Sequence, residues 1–370
     1  MNYGKRLLAG VLSAALVTLI VGGGVLATCH TAAAAYPTIT IVFSNVGGKR
    51  TDGSLDAPKL SLTREVTGLS INGHTMVKAT DLQSYMAASL SKTTYYWRFT
   101  RGGQRTYFYP DDTYFDTSIS YTIADKSTTP PTDVNYSQWW YGYTDEPAIV
   151  YETQEYVRLT TAANQLGALL VWYNASIGKV EVYDWRVNGS TPVSDSNSYV
   201  VGGRWLNGWD SEGDTHLAPH FHLDELWDLS STTSNPTYAR QLKMSVNQLQ
   251  SLENVRQMIS THAMDMTSGF RSWYHNVRLS NSWDKSFHMR GRAWDSIGDA
   301  DEGDGPEAYN LVYDEFNNTY EYPIDAGSFW RTRVTDGASQ GYEIEKMPQS
   351  GDTWLHLQRK PGVDTALDRP

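Results

Sequence analysis

The 370-residue chain has a single cysteine, Cys29, and it lies within the first 35 residues. Beyond that segment there is no thiol, which excludes a disulfide framework and a cysteine nucleophile. Charge is sparse at 19%, and 30 Lys and Arg face 41 Asp and Glu, a formal net charge of −11. Phosphate binding needs clustered cations, so nucleic acid is not an expected partner. Long apolar runs are also lacking, except from Leu7 to Ala27, which follows Lys5 and Arg6 and precedes Ala32-Ala33-Ala34-Ala35. Positive, apolar, then small is the order of a secretory signal, so residues 1–35 read as a signal peptide and the rest as secreted. An uncleaved N-terminal anchor is the alternative and the one expected route to a membrane. Thr28 directly before Cys29 argues against lipid attachment there.

Hydrophobic residues make up 40% of the chain, and 370 residues exceed one compact core, so two folded units are expected. The 13 Trp and 24 Tyr favour sheet. Thr38-Ile39-Thr40-Ile41-Val42-Phe43 alternates and is β-branched, which is strand chemistry. Leu69 to Val77 reads as two strands turning at Asn72-Gly73. Tyr156 to Leu159 reads as a strand, Thr161 to Leu166 as a helix stopped by Gly167, then Leu169 to Tyr173 and Lys179 to Tyr183 as two more strands. The plan of hairpin strand, short helix and strand thus occurs twice. Over Tyr156 to Tyr183, and more weakly over Ile71 to Met86, it resembles the copper amine oxidase N-terminal-like domain, a wall-associated accessory module of secreted bacterial proteins. The stretch has no His cluster, so copper is not expected. This β-rich module is bounded at 36–187. Gly, Ser, Asn and Asp dominate 188–214, which reads as a linker. Trp205 and Trp209 within it are expected to cover a domain edge.

Residues 215–370 read as an α+β domain, making the chain an α+β protein of two domains. Leu242, Val246, Leu249, Leu252, Val255 and Ile259 place one apolar stripe on a helix over Tyr238 to Ile259. Glu307 to Asn318, behind Pro306, reads as a second helix. In Ser286-Phe287-His288-Met289-Arg290-Gly291-Arg292-Ala293-Trp294-Asp295 a His and an Asp stand seven residues apart, and Trp354-Leu355-His356 adds another His. Two imidazoles and a carboxylate make a three-ligand zinc site with one position open. Such a site suits hydrolysis, because the ion lowers the pKa of bound water to about 7 and polarises a carbonyl. Gly291 and Ala293 let backbones pack closely behind it. Alternation puts Trp354, His356 and Gln358 on one strand face.

Ser286, His288, Gly291, Ala293 and Asp295 also fill every fixed position of a Ser-x-His-x-x-Gly-x-Ala-x-Asp signature. Upstream, Ser268-Gly269-Phe270-Arg271-Ser272 with Asn276 parallels a Ser-Gly-Tyr-Arg-Ser segment, and His220-Phe221-His222-Leu223-Asp224-Glu225-Leu226 a domain opening. Over about 216–360 the chain therefore resembles the zinc D-alanyl-D-alanine carboxypeptidase family, peptidoglycan peptidases sharing a fold with the hedgehog signalling domain. The resemblance implies Zn²⁺ held by His288, Asp295 and His356. It implies Arg271 as the cation on substrate or developing oxyanion, with loop bracing as the alternative role, and Ser286 as a residue that shapes the loop. It implies a cell-wall metallopeptidase acting on peptidoglycan peptides, as carboxypeptidase or endopeptidase; the alternative is a non-catalytic wall-binding or assembly protein. The family places its general base as an acid three residues before the last His or a His two before, where this chain has Thr353 and Trp354. Asp352 is the nearest acid and needs a bulge to come round, with Glu343 and Glu345 as the other candidates. His220, His222, His262 and His275 are expected to be structural or exposed. The acidic run from Asp299 to Asp304 reads as a solvated loop rather than a calcium site.

Overall fold

Alternating β-branched and aromatic residues turn most of the described chain into strand, with a few short helices. The computed structural model describes residues 35–46, 60–125, 127–184, 187–188, 191–192, 199–203, 206–207, 214–228, 240–258, 264–276, 279, 286–298, 330–335, 340–349 and 352–359. For 187–192 and from residue 330 on, the description is of the backbone. The leader with Cys29, Trp205, Trp209, His262, the acidic run 299–304 and the expected helix 307–318 lie outside the described residues. Among the described residues no helix is long and apolar enough to cross a membrane.

Strands β1 (Thr38–Val46), β2 (Leu60–Ile71) and β3 (His74–Lys78) lead into helix α1 (Ala79–Tyr85). The β2–β3 hairpin turns at Asn72 (φ 49) and Gly73 (φ 83), the left-handed pair that a tight two-residue turn demands. An antiparallel meander follows: β4 (Ser89–Lys92), β5 (Trp97–Arg101), β6 (Gln104–Phe108), β7 (Tyr114–Asp125) and β8 (Thr132–Tyr143). The chain then repeats its opening plan with β9 (Ile149–Tyr151), β10 (Gln154–Arg158), α2 (Leu159–Gln165), β11 (Leu170–Asn174) and β12 (Lys179–Tyr183). Strand and helix of the two units start 80 residues apart, at His74 and Gln154 and at Ala79 and Leu159. Strands β3 and β10 are neighbours in a seven-stranded sheet, β11-β12-β1-β2-β3-β10-β9, with Val77 opposite Val157. The plan expected twice from the sequence is therefore built twice.

Two-residue strands β13 (Val187–Asn188) and β14 (Thr191–Pro192) precede β15 (Tyr199–Gly202). Strand β15 lies inside the segment read as a linker, is buried throughout, and pairs with a strand far downstream. Next come β16 (His216–Ala218), β17 (Phe221–His222), α3 (Leu223–Leu226), β18 (Leu242–Ser245) and α4 (Val246–Met258). The helix expected from Tyr238 starts at Val246, because Leu242–Ser245 is claimed by pairing with β15. Ser245 Oγ accepts from the Gln248 amide at 3.1 Å, and Ser-x-x-Gln is capping-box spacing, the local signal of that start. After β19 (Met264–Ser268), α5 (Trp273–Asn276) and a 3₁₀ turn at Phe287–Arg290, strand β20 (Ala293–Gly298) joins β21 (Trp330–Thr335), β22 (Gln340–Gln349) and β23 (Asp352–Arg359). These form an antiparallel sheet in the order β19-β20-β23-β22-β21.

One buried cluster runs from Ile41 and Phe43 through Trp140 to Phe221, Leu249 and Trp294. Polar bonds fasten the meander to α4 and to the β16–β17 hairpin: Gln250 exchanges hydrogen bonds with the Ala124 backbone (2.7 and 3.0 Å), and Tyr121 Oη donates to the Leu217 carbonyl at 2.9 Å. Helix α4 in turn braces the motif strand. With its amide oriented to satisfy both neighbours, Gln248 donates to the Arg292 carbonyl and accepts from Trp294 Nε1.

Candidate metal centre

His288 sits on the 3₁₀ turn and Asp295 on β20, with the left-handed Gly291 (φ 63) between them. A Cβ on Gly291 would run into the Lys243 carbonyl, so only glycine fits this turn. Ser286 Oγ accepts from the His288 amide at 3.3 Å, which is the loop-shaping contact expected of it. Both candidate ligands are buried, His288 at 3% and Asp295 at 6% exposure.

The neighbour of Nδ1 places one proton on the His288 ring. Nδ1 lies 2.9 Å from the Gly269 carbonyl, which can only accept, so Nδ1 carries the proton. In the neutral ring Nε2 is then an acceptor, and it stands 3.4 Å from Asp295 Oδ1. With the ring neutral, two acceptors face each other and a cation between them would satisfy both; with the ring protonated, Nε2 donates to Asp295 instead. Nitrogen and oxygen ligands about 2.0–2.1 Å from a tetrahedral zinc stand about 3.3 Å apart, so the pair has ligand spacing. A backbone carbonyl holding Nδ1 is also the common way to orient a metal-binding imidazole.

His356 enters through the backbone. It is the register partner of Asp295 across β20–β23, and directly opposed residues share a sheet face about 5 Å apart. Glu345 is the partner of His356 across β22–β23, and Ser268 that of Asp295 across β19–β20. Ser268, Asp295, His356 and Glu345 therefore form one cross-strand row. Asp352 pairs with Gln349 at the far end of the β22–β23 hairpin, and that ladder runs without a register shift. The bulge that would bring Asp352 round is not in the ladder. Four residues of strand put Asp352 about 13 Å from His356 along the chain. Glu343 pairs with Gln358, two positions from the row. Among the described side chains no three His, Cys, Asp or Glu gather on one point; His288 and Asp295 are two, and His356 is described by backbone alone.

Arg271 reaches the same place. Its Nη2 donates to Asp295 Oδ2 at 3.1 Å and to Ser268 Oγ at 2.9 Å, and its amide donates to the His288 carbonyl. Burial pulls its pKa below the ordinary guanidinium value, with Asp295 and Asp228 opposing. Oδ1 of Asp295 thus faces the imidazole while Oδ2 accepts from the guanidinium.

Two further buried carboxylates, Asp228 and Glu253, carried no sequence signal. Asp228 accepts from His275 Nδ1 at 2.6 Å and from the Ser272 amide at 2.8 Å, fixing the loop that carries Arg271. His220 pairs with the buried Glu253 at 2.8 Å, and His222 meets His216 at 2.9 Å. His220, His222 and His275 are thus bonded within the scaffold and none joins His288. Burial pushes the Asp228 carboxyl up, but the hydrogen bonds from His275 and Ser272 and the charge on His275 outweigh it, leaving its pKa below the ordinary value. A depressed carboxyl stabilises the fold above its unfolded pKa of about 4, and that contribution is lost as pH falls through the folded value. Urea midpoints followed from about pH 7 to about pH 3 should therefore drop more steeply for wild type than for Asp228→Asn. Equal slopes would rule the linkage out.

Comparison of this chain with known protein families, with curated proteins and with solved structures finds no match.

Proposed function

We propose that the chain is a zinc-dependent peptidase of the bacterial cell wall, hydrolysing peptide bonds in peptidoglycan, with its centre at His288, Asp295 and His356. The observation that carries this reading is the facing pair: an imidazole locked by the Gly269 carbonyl, its Nε2 at ligand spacing from Asp295 Oδ1. His356 as register partner of that Asp supplies a third donor of the right type at the right strand position. Two nitrogens and one oxygen form a zinc donor set with room for substrate, and the family resemblance of the 286–295 motif points the same way. Bound there, zinc would supply Lewis acidity at a scissile carbonyl and a more acidic water.

The protein's own groups divide the remaining work. Arg271, fixed through Asp295 and Ser268, presents a permanent positive charge beside the centre and steadies negative charge on the substrate oxygen. A proton acceptor must stand within reach of the attacking water. Glu345 occupies the row of His356, whereas Asp352 is about 13 Å along the strand, so Glu345 is the stronger candidate for that role. In the N-terminal half, the twice-built plan of hairpin, short helix and strand supports an accessory module of the copper amine oxidase N-terminal-like kind. Export is supported by the order of residues in the leader.

Incubation of the purified chain with intact sacculi tests the proposal. Expected are release of D-alanine or of cross-linked peptide fragments, its loss on chelation and its return with zinc. Glu345→Gln should cut the rate about a hundredfold with zinc retained, while Asp352→Asn stays within a few-fold of wild type. A zinc-loaded chain that leaves sacculi intact would instead mark a binding-only protein and end the hydrolase reading.

A further inference from the structure

The outer face of the β4–β8 meander carries aromatic side chains that the peptidase reading does not use. Alternation along β8 turns Trp140 and Gly142 to the core and Trp139, Tyr141 and Tyr143 outward, with Trp139 53% and Tyr143 62% exposed. Register places Tyr114 opposite Tyr143, Asp116 opposite Tyr141 and Ser118 opposite Trp139. On the next strand Tyr107 lies beside Asp116 and Arg105 beside Ser118. The rings touch in sequence: Trp139 and Tyr141 at 5.3 Å between centroids, Tyr141 and Tyr114 at 5.7 Å, Tyr114 and Tyr109 at 5.4 Å.

These rings are pinned. Asp116 is buried at their floor, accepts from Tyr109 Oη at 2.6 Å, and lies opposite Tyr141 in the β7–β8 ladder. A carboxylate buried to hold exposed rings makes a pre-organised surface, which loses little freedom when a ligand lands. Scattered exposed aromatics need no explanation, but a contiguous fixed set does.

The chemistry of the patch selects among ligands. Its outward positions on β6–β8 between the rings are Arg105, Asp116 and Ser118, with no aliphatic side chain. Protein hot spots seat Trp, Tyr and Arg in desolvated pockets, whereas these rings lie open on a sheet face. Nucleic acid stacks on aromatics too, but a chain of net charge −11 with a carboxylate at the patch centre repels phosphates. A pyranose has a flat C–H face for stacking and a hydroxyl rim for hydrogen bonds with Arg, Ser and Tyr side chains. We propose that the outer face of β6–β8, centred on Trp139, Tyr141 and Tyr143, binds the glycan strand of peptidoglycan, a β-1,4-linked chain of N-acetylated pyranoses. That it binds sugar is argued from the face itself; the choice of this polymer rests on the cell-wall reading above.

Calorimetric titration of the full chain with the N-acetylglucosamine hexasaccharide tests it. Binding should saturate, weaken about tenfold or more in Trp139→Ala and in Tyr143→Ala, and largely survive in Trp139→Phe, which keeps a ring. Thermal unfolding of each variant checks that the fold is intact. His288→Ala should bind as wild type does, so a failure of the peptidase reading leaves this result untouched. Lack of saturation in wild type, or wild-type affinity in both alanine variants, would overturn the proposal. So would a cello-oligosaccharide or an oligothymidylate bound as tightly as the amino sugar.

Discussion

His288→Ala is expected to lose its zinc and to release wall peptides about a thousandfold more slowly or worse, a barrier increase of about 4 kcal/mol. The imidazole is buried, its Nδ1 is committed to the Gly269 carbonyl, and its Nε2 is the ring nitrogen that faces Asp295 Oδ1, 3.4 Å away. Without the ring, Asp295 loses the imidazole facing its Oδ1, while the ion pair with Arg271 offsets its negative charge, so the donor set for a cation is incomplete. Zinc per chain, measured beside peptide release, separates this from a folding defect. His288→Cys, which restores a zinc ligand, should recover part of the metal. Full zinc content and unchanged turnover in the alanine variant would sink the assignment.

Gly291→Ala should destabilise the fold by about 3 kcal/mol or more, read as a lowered urea midpoint and poor soluble yield. Two independent penalties meet there. The residue holds φ at 63, and its missing side chain leaves the room that the Lys243 carbonyl and the Met244 Cα occupy. Those atoms belong to β18, which is buried and paired with β15, so the backbone has little freedom to move aside. The Gly291 carbonyl also accepts from the Ser245 amide at 3.0 Å, joining the turn to the cap of α4. Gly73→Ala makes the control: its φ is equally left-handed, but nothing lies near the added carbon, and about 1 kcal/mol is expected. Similar losses at both positions would show that strain alone, and not crowding behind the candidate centre, sets the cost.

Much of the local structure was legible because it rests on nearest-neighbour chemistry. Asn72-Gly73 marks a turn whose two residues need positive φ, and the alternation from Thr38 onward needs no distant partner to read as strand. The Ser286 to Asp295 run carried its own spacing, with glycine where the backbone is left-handed. Less visible were features that depend on a partner remote in sequence. Leu242 to Ser245 fits a helical stripe by periodicity and becomes a strand only because Tyr199 to Gly202, 40 residues earlier, lies beside it. Asp228 and Glu253 belong to no motif, and each is identifiable only by the His it meets.

The amino-acid order by itself determined the spacing of His288 and Asp295, the glycine that permits the turn between them, and the twice-repeated plan of the N-terminal half, since all of these follow from spacing and backbone preference within a few residues. Tertiary structure alone decided which atoms face one another. The proton on His288 Nδ1 is set by a carbonyl 19 residues away. The neighbour of His356 is set by strand register, where one step exchanges the two faces of a sheet, and that register puts Glu345 rather than Asp352 in its row. Register and tautomer are fixed by hydrogen bonds between distant segments, and such bonds exist only once the chain has folded.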